Sequence, residues 1–168
     1  MSDAVRRTLV LGLGNPLMGD DGAGLAALEL LGEEWELPAE VELVDGGTWG
    51  MNLLPLLESY DQVILLDAIN TRARPGSLAL LRREEIPRYF AHKLSPHQLD
   101  LREVLALAEL RDALPRRLTA IGVQPDRVEL GEGMSPRVRA AIRRVVALTV
   151  DQLQWQGHRC VRRELVGT

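Results

Sequence analysis

A chain of 168 residues with 46% apolar and 26% charged residues, at a net charge of −4, has the size and balance of a single globular domain. The acidic total argues against a nucleic-acid binder, and a single cysteine, Cys160, rules out an intrachain disulfide. The strongest apolar run, Val63 to Ala68, is far too short to span a bilayer, and no signal-type apolar stretch follows Met1 to Arg7. The expected setting is cytosolic, with no membrane or nucleic-acid partner.

In chain order, Arg7 to Leu13 reads as a buried strand, followed by a glycine loop and a helix from about Asp21 to Trp35 with apolar positions at Leu25, Leu28, Leu31 and Trp35. Val41 to Val44 is a second strand ending in Asp45-Gly46-Gly47-Thr48, and Asn52 to Tyr60 a short helix. Gln62 to Ile69 has the apolar character of a central parallel strand covered on both faces. Pro75-Gly76 marks a turn and Ser77 to Arg82 a fourth strand. His92 to Leu99 reads as a loop and Asp100 to Leu110 as a helix burying Leu101, Val104, Leu105 and Ala108. Arg117 to Val123 is a fifth strand, stopped by Pro125. Ser135-Pro136 starts a last helix, Ser as N-cap and Pro at the first helical position, which runs to about Trp155. Its Arg137, Arg139, Arg143 and Arg144 read as a solvated outer face. Without repeats or a linker, the alternation predicts one domain over residues 1–168. Its fold class is α/β, a three-layer α/β/α sandwich with a mostly parallel, roughly five-stranded twisted sheet.

Such sheets carry their sites at the carboxyl ends of the strands, and three strands here end in unusual residues. The first opens the loop Gly14 to Gly24, which has the GxxxxG spacing of a P-loop but continues with Asp20-Asp21 where Lys and Ser or Thr would meet a phosphate. Two carboxylates would also repel a dinucleotide, although Gly12, Gly14 and Asp45 match part of that fingerprint. Asp21 also fits the helix N-cap role, but one cap needs one carboxylate, and Gly22 and Gly24 in the first helical turn suit a close backbone approach. Asp67, inside a doubly covered strand, has to be hydrogen-bonded, protonated or metal-bound. With His97 it completes an O, O, N set suited to nickel or zinc; the alternative is a structural hydrogen bond for Asp67 and an ordinary loop histidine. His158 and Cys160, in a polar tail, fit no metal role, and neither HExxH nor GxSxG occurs.

The loop Gly12 to Gly24, the segment Asp45-Gly46-Gly47-Thr48-Trp49-Gly50, the strand Leu65-Leu66-Asp67-Ala68-Ile69, the loop Leu94-Ser95-Pro96-His97-Gln98-Leu99 and Ile121-Gly122-Val123-Gln124-Pro125 stand in this order along the chain. Together they resemble the hydrogenase maturation proteases over about Thr8 to Ala147. The resemblance implies an α/β/α endopeptidase that removes the C-terminal extension of a [NiFe]-hydrogenase large-subunit precursor after nickel insertion. It implies nickel bound by an acid of the first loop, an acid of the central strand and the histidine of Ser-Pro-His; the expectation is that this nickel arrives with the substrate and that other divalent ions also fit the site. Here these are Asp21, Asp67 and His97, with Asp20 the other candidate for the first position, since some members have Glu where this chain has Asp.

Two hydrolytic routes fit that expectation. Nickel polarises the carbonyl or the water while a carboxylate moves the proton, or Asp21 and Asp67 work as an aspartic pair sharing one proton. Gly22, Gly24, Asp45, Gly46, Gly47 and Thr48 are expected to shape the cleft for the extension peptide. A nickel-sensing assembly chaperone that binds the precursor without cutting it is the alternative from another class.

Overall fold

A computed structural model describes residues 6–47, 50–89, 96–131 and 133–164, with side chains at all of these except residues 51 and 96–100. In chain order the elements are β1 (Thr8–Leu13), a 3₁₀ turn at Gly19–Gly22, α1 (Ala23–Glu34), β2 (Trp35–Glu36), β3 (Val41–Gly47), a second 3₁₀ turn at Gly50–Leu53, and α2 (Leu54–Glu58). They continue with β4 (Gln62–Ala68), β5 (Leu78–Arg82), α3 (Ile86–Tyr89), α4 (Pro96–Leu110), β6 (Arg117–Val123), α5 (Pro136–Trp155) and β7 (Val161–Arg162).

The main sheet has the order β3-β1-β4-β6-β5. β3, β1, β4 and β6 are parallel, and β5 closes the edge antiparallel to β6. Side chains alternate across the sheet with a period of two. Leu9, Leu11, Leu13, Val63, Leu65, Leu118 and Ala120 face a core closed by residues of α2, α3 and α4. Val10, Ile64, Leu66, Ile121 and Val123 face a second core closed by α1 and α5. Every residue of β4 is buried, as its unbroken apolar run requires. The result is the expected three-layer α/β/α arrangement. No helix among the described residues is long and apolar enough to cross a membrane.

Several boundaries differ from the sequence reading. α4 starts at Pro96 rather than Asp100, so part of the expected loop is helical. The reason is the preference for Pro at the first helical position, the same signal that starts α5. The first α-helix ends at Glu34, and Trp35 instead pairs with Arg162 in a small antiparallel sheet of β2 and β7. The C-terminal segment, read as a polar tail, is docked there: the Arg163 N–H donates to the Glu34 carbonyl at 2.8 Å, and His158 Nε2 lies 2.7 Å from Thr8 Oγ1. Burial pushes the His158 ring below its ordinary value, and the charge of Glu40 offsets part of that. Cys160 is buried in the same core, and burial raises its thiol, which suits packing rather than nucleophilic chemistry.

Gly24 fixes the distance between α1 and the sheet. A Cβ at that position would lie 2.1 Å from the Leu66 carbonyl oxygen and 2.6 Å from its carbon, backbone atoms that cannot move aside. Gly24→Ala is therefore expected to lower the unfolding free energy by at least about 2 kcal/mol. In Gly32→Ala, whose new methyl would meet only a Leu43 methyl at 3.4 Å, stability should stay within about 1 kcal/mol of wild type. Urea denaturation of the two variants in parallel measures the difference.

Candidate active site

β1 leads through α1 to β3 on one side, and β3 returns through α2 to β4 on the other side of β1. Winding thus reverses between β1 and β4, where an open α/β sheet leaves a crevice at its carboxyl ends. The loop holding Asp20 and Asp21 leaves β1 at this point, and Asp67 is the penultimate residue of β4.

Asp67 is 1% exposed, and its Oδ1 accepts the Ala68 N–H at 2.8 Å. Its backbone is gripped from both sides by positions that tolerate no side chain. A Cβ on Gly24 of α1 would lie 2.8 Å from Asp67 Cα, and one on Gly122 of β6 would lie 2.3 Å from the Asp67 carbonyl oxygen. Asp21 is fully buried in the 3₁₀ turn, and its Oδ2 accepts the Asn15 N–H at 2.9 Å. It does not cap α1; that position belongs to Gly22, with no side-chain cap bond. Gly14 makes the turn possible: it has φ +120°, and a Cβ there would fall 1.9 Å from the Asp21 carbonyl oxygen. Asp21 stands one turn before Gly24, which abuts Asp67, so the two aspartates border the same crevice.

Asp20 points elsewhere. Its Oδ2 accepts the N–H groups of Asp126 at 2.8 Å and Arg127 at 2.9 Å and the Ser135 hydroxyl at 2.8 Å. Its Oδ1 accepts the Ser135 N–H at 2.7 Å, and its own N–H donates to the Arg127 carbonyl at 2.9 Å. Ser135 does precede Pro136 at the start of α5, but its hydroxyl serves Asp20 and makes no cap bond. Burial acts to raise the Asp20 carboxyl, yet the hydrogen bonds from Arg127, Ser135 and Asp126 outweigh it and hold the group below its ordinary value of 3.8. Of the two adjacent aspartates, Asp20 is the structural one.

The glycines expected to make room for a peptide are largely filled by the chain itself. The close approach at Gly24 is that of β4. A Cβ on Gly22 would lie 2.8 Å from Pro16 Cα, and one on Gly46 2.8 Å from a Leu11 methyl. β3 runs on to Gly47, with a bulge that pairs Gly12 with Asp45 and Leu13 with Gly47. Gly22 and Asp45 both line an open groove of about 800 Å³ along α1, together with Pro16, Leu25, Leu43 and Met134. Thr48 lies outside the described residues, as does the side chain of His97, whose backbone occupies the first turn of α4. α4 feeds the amino-terminal end of β6, so its own first turn lies toward the carboxyl ends of the strands. Among the described residues no three His, Cys, Asp or Glu side chains form a metal-binding group.

Gln124 has a role that no motif in the sequence announces. Its Oε1 accepts the N–H groups of Thr71 at 2.8 Å and Ala73 at 3.3 Å, and its Nε2 donates to Asn70 Oδ1 at 3.2 Å. It thereby fixes the loop that follows β4 beside the crevice. The only trace in the sequence is a glutamine at the carboxyl end of an apolar strand.

Residues 25–152 match the profile of the hydrogenase maturation proteases. The chain belongs to that family. It is 38% identical over 161 residues to the hydrogenase 2 maturation protease of Escherichia coli, covering 95% of this chain and 98% of that one. It is 40% identical over 153 residues to the hydrogenase expression/formation protein HupD of Rhodobacter capsulatus, covering 90% and 73%. The solved structure of the E. coli hydrogenase maturating endopeptidase HybD superposes with a TM-score of 0.88 at 39% identity, over 94% of this chain and 98% of that chain. This maturation protease is thus a peptidase, a hydrolase, and its fold is that of its solved relatives.

In the maturation protease Asp20 ties the first loop to α5, and removing its carboxylate strands buried donors. Asp20→Asn is expected to cost about 2–4 kcal/mol at neutral pH, measured by chemical denaturation. The group's folded value is depressed, so its stabilisation is complete above the unfolded value near pH ~4 and fades as pH falls through the folded value. Wild-type stability should therefore drop on acidification below pH ~4, and Asp20→Asn should flatten that part of the curve.

Proposed function

We propose that this protease removes the C-terminal extension of a [NiFe]-hydrogenase large-subunit precursor, in the cytoplasm, once nickel is in place. What supports the reading is that two buried aspartates, Asp21 in the turn after β1 and Asp67 near the end of β4, lie on either side of Gly24 at the switch point. Family membership supplies the substrate: the E. coli relative is a hydrogenase 2 maturation protease, and the activity comes to this chain by analogy.

The nickel is substrate. Two carboxylates and the His97 imidazole are the hard and borderline donors a divalent nickel ion accepts, so Asp21, Asp67 and His97 would read whether the precursor is loaded. Cleavage needs a water activated at the scissile carbonyl. One carboxylate of the pair takes the water proton as the hydroxyl attacks the carbonyl carbon. The C–N bond then breaks, and the proton passes to the leaving amine. The products are the mature carboxyl terminus and a free extension peptide. The groove along α1 opens from the loop that holds Asp21; its half-buried Leu25 and Met134 offer an extended peptide apolar contact, and Glu29, Asp45 and Arg139 offer charges of both signs. Leu17, next in the chain to Pro16 of the groove, is exposed, and its carbonyl accepts the Gly131 N–H at 3.1 Å, next in the chain to the exposed Leu130.

The test is incubation with nickel-loaded and nickel-free precursor, scored by mass spectrometry for loss of the C-terminal peptide. Only the loaded precursor should lose mass, and Asp67→Asn and Asp21→Asn should each slow the loss by about 10²-fold or more. Equal cleavage of nickel-free precursor would remove nickel reading from the proposal. An unchanged mass with tight precursor binding would make the protein a chaperone instead.

A further inference from the structure

At the opposite end of the sheet, around the amino-terminal ends of β4 and β6, stand Arg6, Arg82, Arg83, Arg116 and Arg117. They line two adjoining hollows of about 190 and 280 Å³, which share Arg116 and Arg117. Only two carboxylates, Asp61 and Glu84, line the same hollows, in a chain whose net charge is −4. Among the described residues none of these five guanidiniums forms an ion pair, whereas Arg7, Arg111, Arg143 and Arg162 do. Five like charges brought together without partners oppose folding through mutual repulsion, so the cluster is not explained by stability.

Two further features point outward. Trp155, at the end of α5, is 65% exposed, with the Arg117 guanidinium 4.7 Å from its ring centroid. Gln62, the first residue of β4, lines the smaller hollow at 1% exposure, and neither atom of its amide has a hydrogen-bond partner. A buried amide in that state leaves a donor and an acceptor open to a group that enters the hollow. The local backbone offers no cradle for a phosphate: the N–H groups of Asp61 and Gln62 donate to the Arg7 carbonyl, and that of Arg117 to the Asp61 carbonyl. What remains is a spread of guanidinium forks, suited to separate carboxylates, beside the Trp and Arg pairing typical of protein interface centres.

We propose that this face is a second binding site, for an acidic segment of a protein partner. Carboxylates of the segment pair with the arginines, one of them enters the smaller hollow to accept from Gln62 Nε2, and an apolar side chain covers Trp155. The site is separate from the crevice and does not depend on the peptidase substrate being the one proposed.

Calorimetric titration of the full chain with a glutamate-rich peptide containing one leucine tests it. Binding should weaken about tenfold or more in Arg82→Gln/Arg83→Gln, whose guanidiniums make no ion pair among the described residues, and in Arg116→Gln/Arg117→Gln. It should weaken in Gln62→Leu and as salt rises, and stay unchanged in Arg137→Gln on the outer face of α5. Cleavage of precursor should proceed at the same rate with the peptide bound. Wild-type affinity in both double variants would overturn the proposal. So would tighter binding of tripolyphosphate or of an oligothymidylate than of the peptide, which would make the face a phosphate or nucleic-acid site.

Discussion

A carboxylate with no access to water needs donors for its lone pairs, and Asp20 finds three backbone N–H groups and one hydroxyl. All four come from the segment that follows β6, while Asp20 itself sits in the loop that follows β1. In the sheet order, β1 and β6 flank β4. The bonds of Asp20 therefore arch across the carboxyl end of β4, where Asp67 lies. The position of Asp21, the approach of α5 and the rim over Asp67 all depend on that one buried charge. Its negative charge also sits at the amino-terminal end of α5, where the helix dipole favours it.

The glycines explain why a strand–loop–helix unit that looks like a phosphate site is not one. In a P-loop the glycines leave N–H groups pointing at an anion. Here the 3₁₀ turn inserted between the loop and α1 uses those donors internally: the Asp20 N–H goes to Arg127 and the Asp21 N–H to the Met18 carbonyl. Gly14, Gly22 and Gly24 bring three stretches of backbone into contact, so that the turn, Pro16 and β4 share space that side chains would fill. The loop is compact, lined by acid, and closed to phosphate.

The sheet strands and the long helices were legible because each carries a strong local pattern. The unbroken burial of β1, the continuous apolar run of β4 and the inward positions Val138, Ile142, Val145 and Leu153 of α5 follow from the sequence pattern. The strand-end rule likewise put Asp21 and Asp67 at one edge of the sheet. What escaped depends on partners distant in the chain. Trp35 continues the apolar spacing of α1, and only its pairing with Arg162 makes it a strand residue. Ser135 has every mark of a capping hydroxyl, yet it bonds to an aspartate 115 positions earlier. The split of roles between Asp20 and Asp21 is of the same kind: adjacent identical residues differ only in which way the turn directs them.

β4 carries both ends of the molecule's chemistry. Gln62 opens it beside the arginines, and Asp67 nearly closes it in the crevice; five residue steps of extended strand separate them by roughly 17 Å. Along that length the strand is buried on both faces, so neither site reaches the other through solvent or through a flexible segment. One flat contact with a folded partner cannot engage a buried carboxylate pair at one end and five arginines at the other. A protein that occupies both would have to wrap around an edge of the sheet, and the simpler arrangement is two partners bound at once. The residues also differ in kind: aspartates border the crevice, while arginines line the other face. The two ends of the strand thus present different chemistry to solvent.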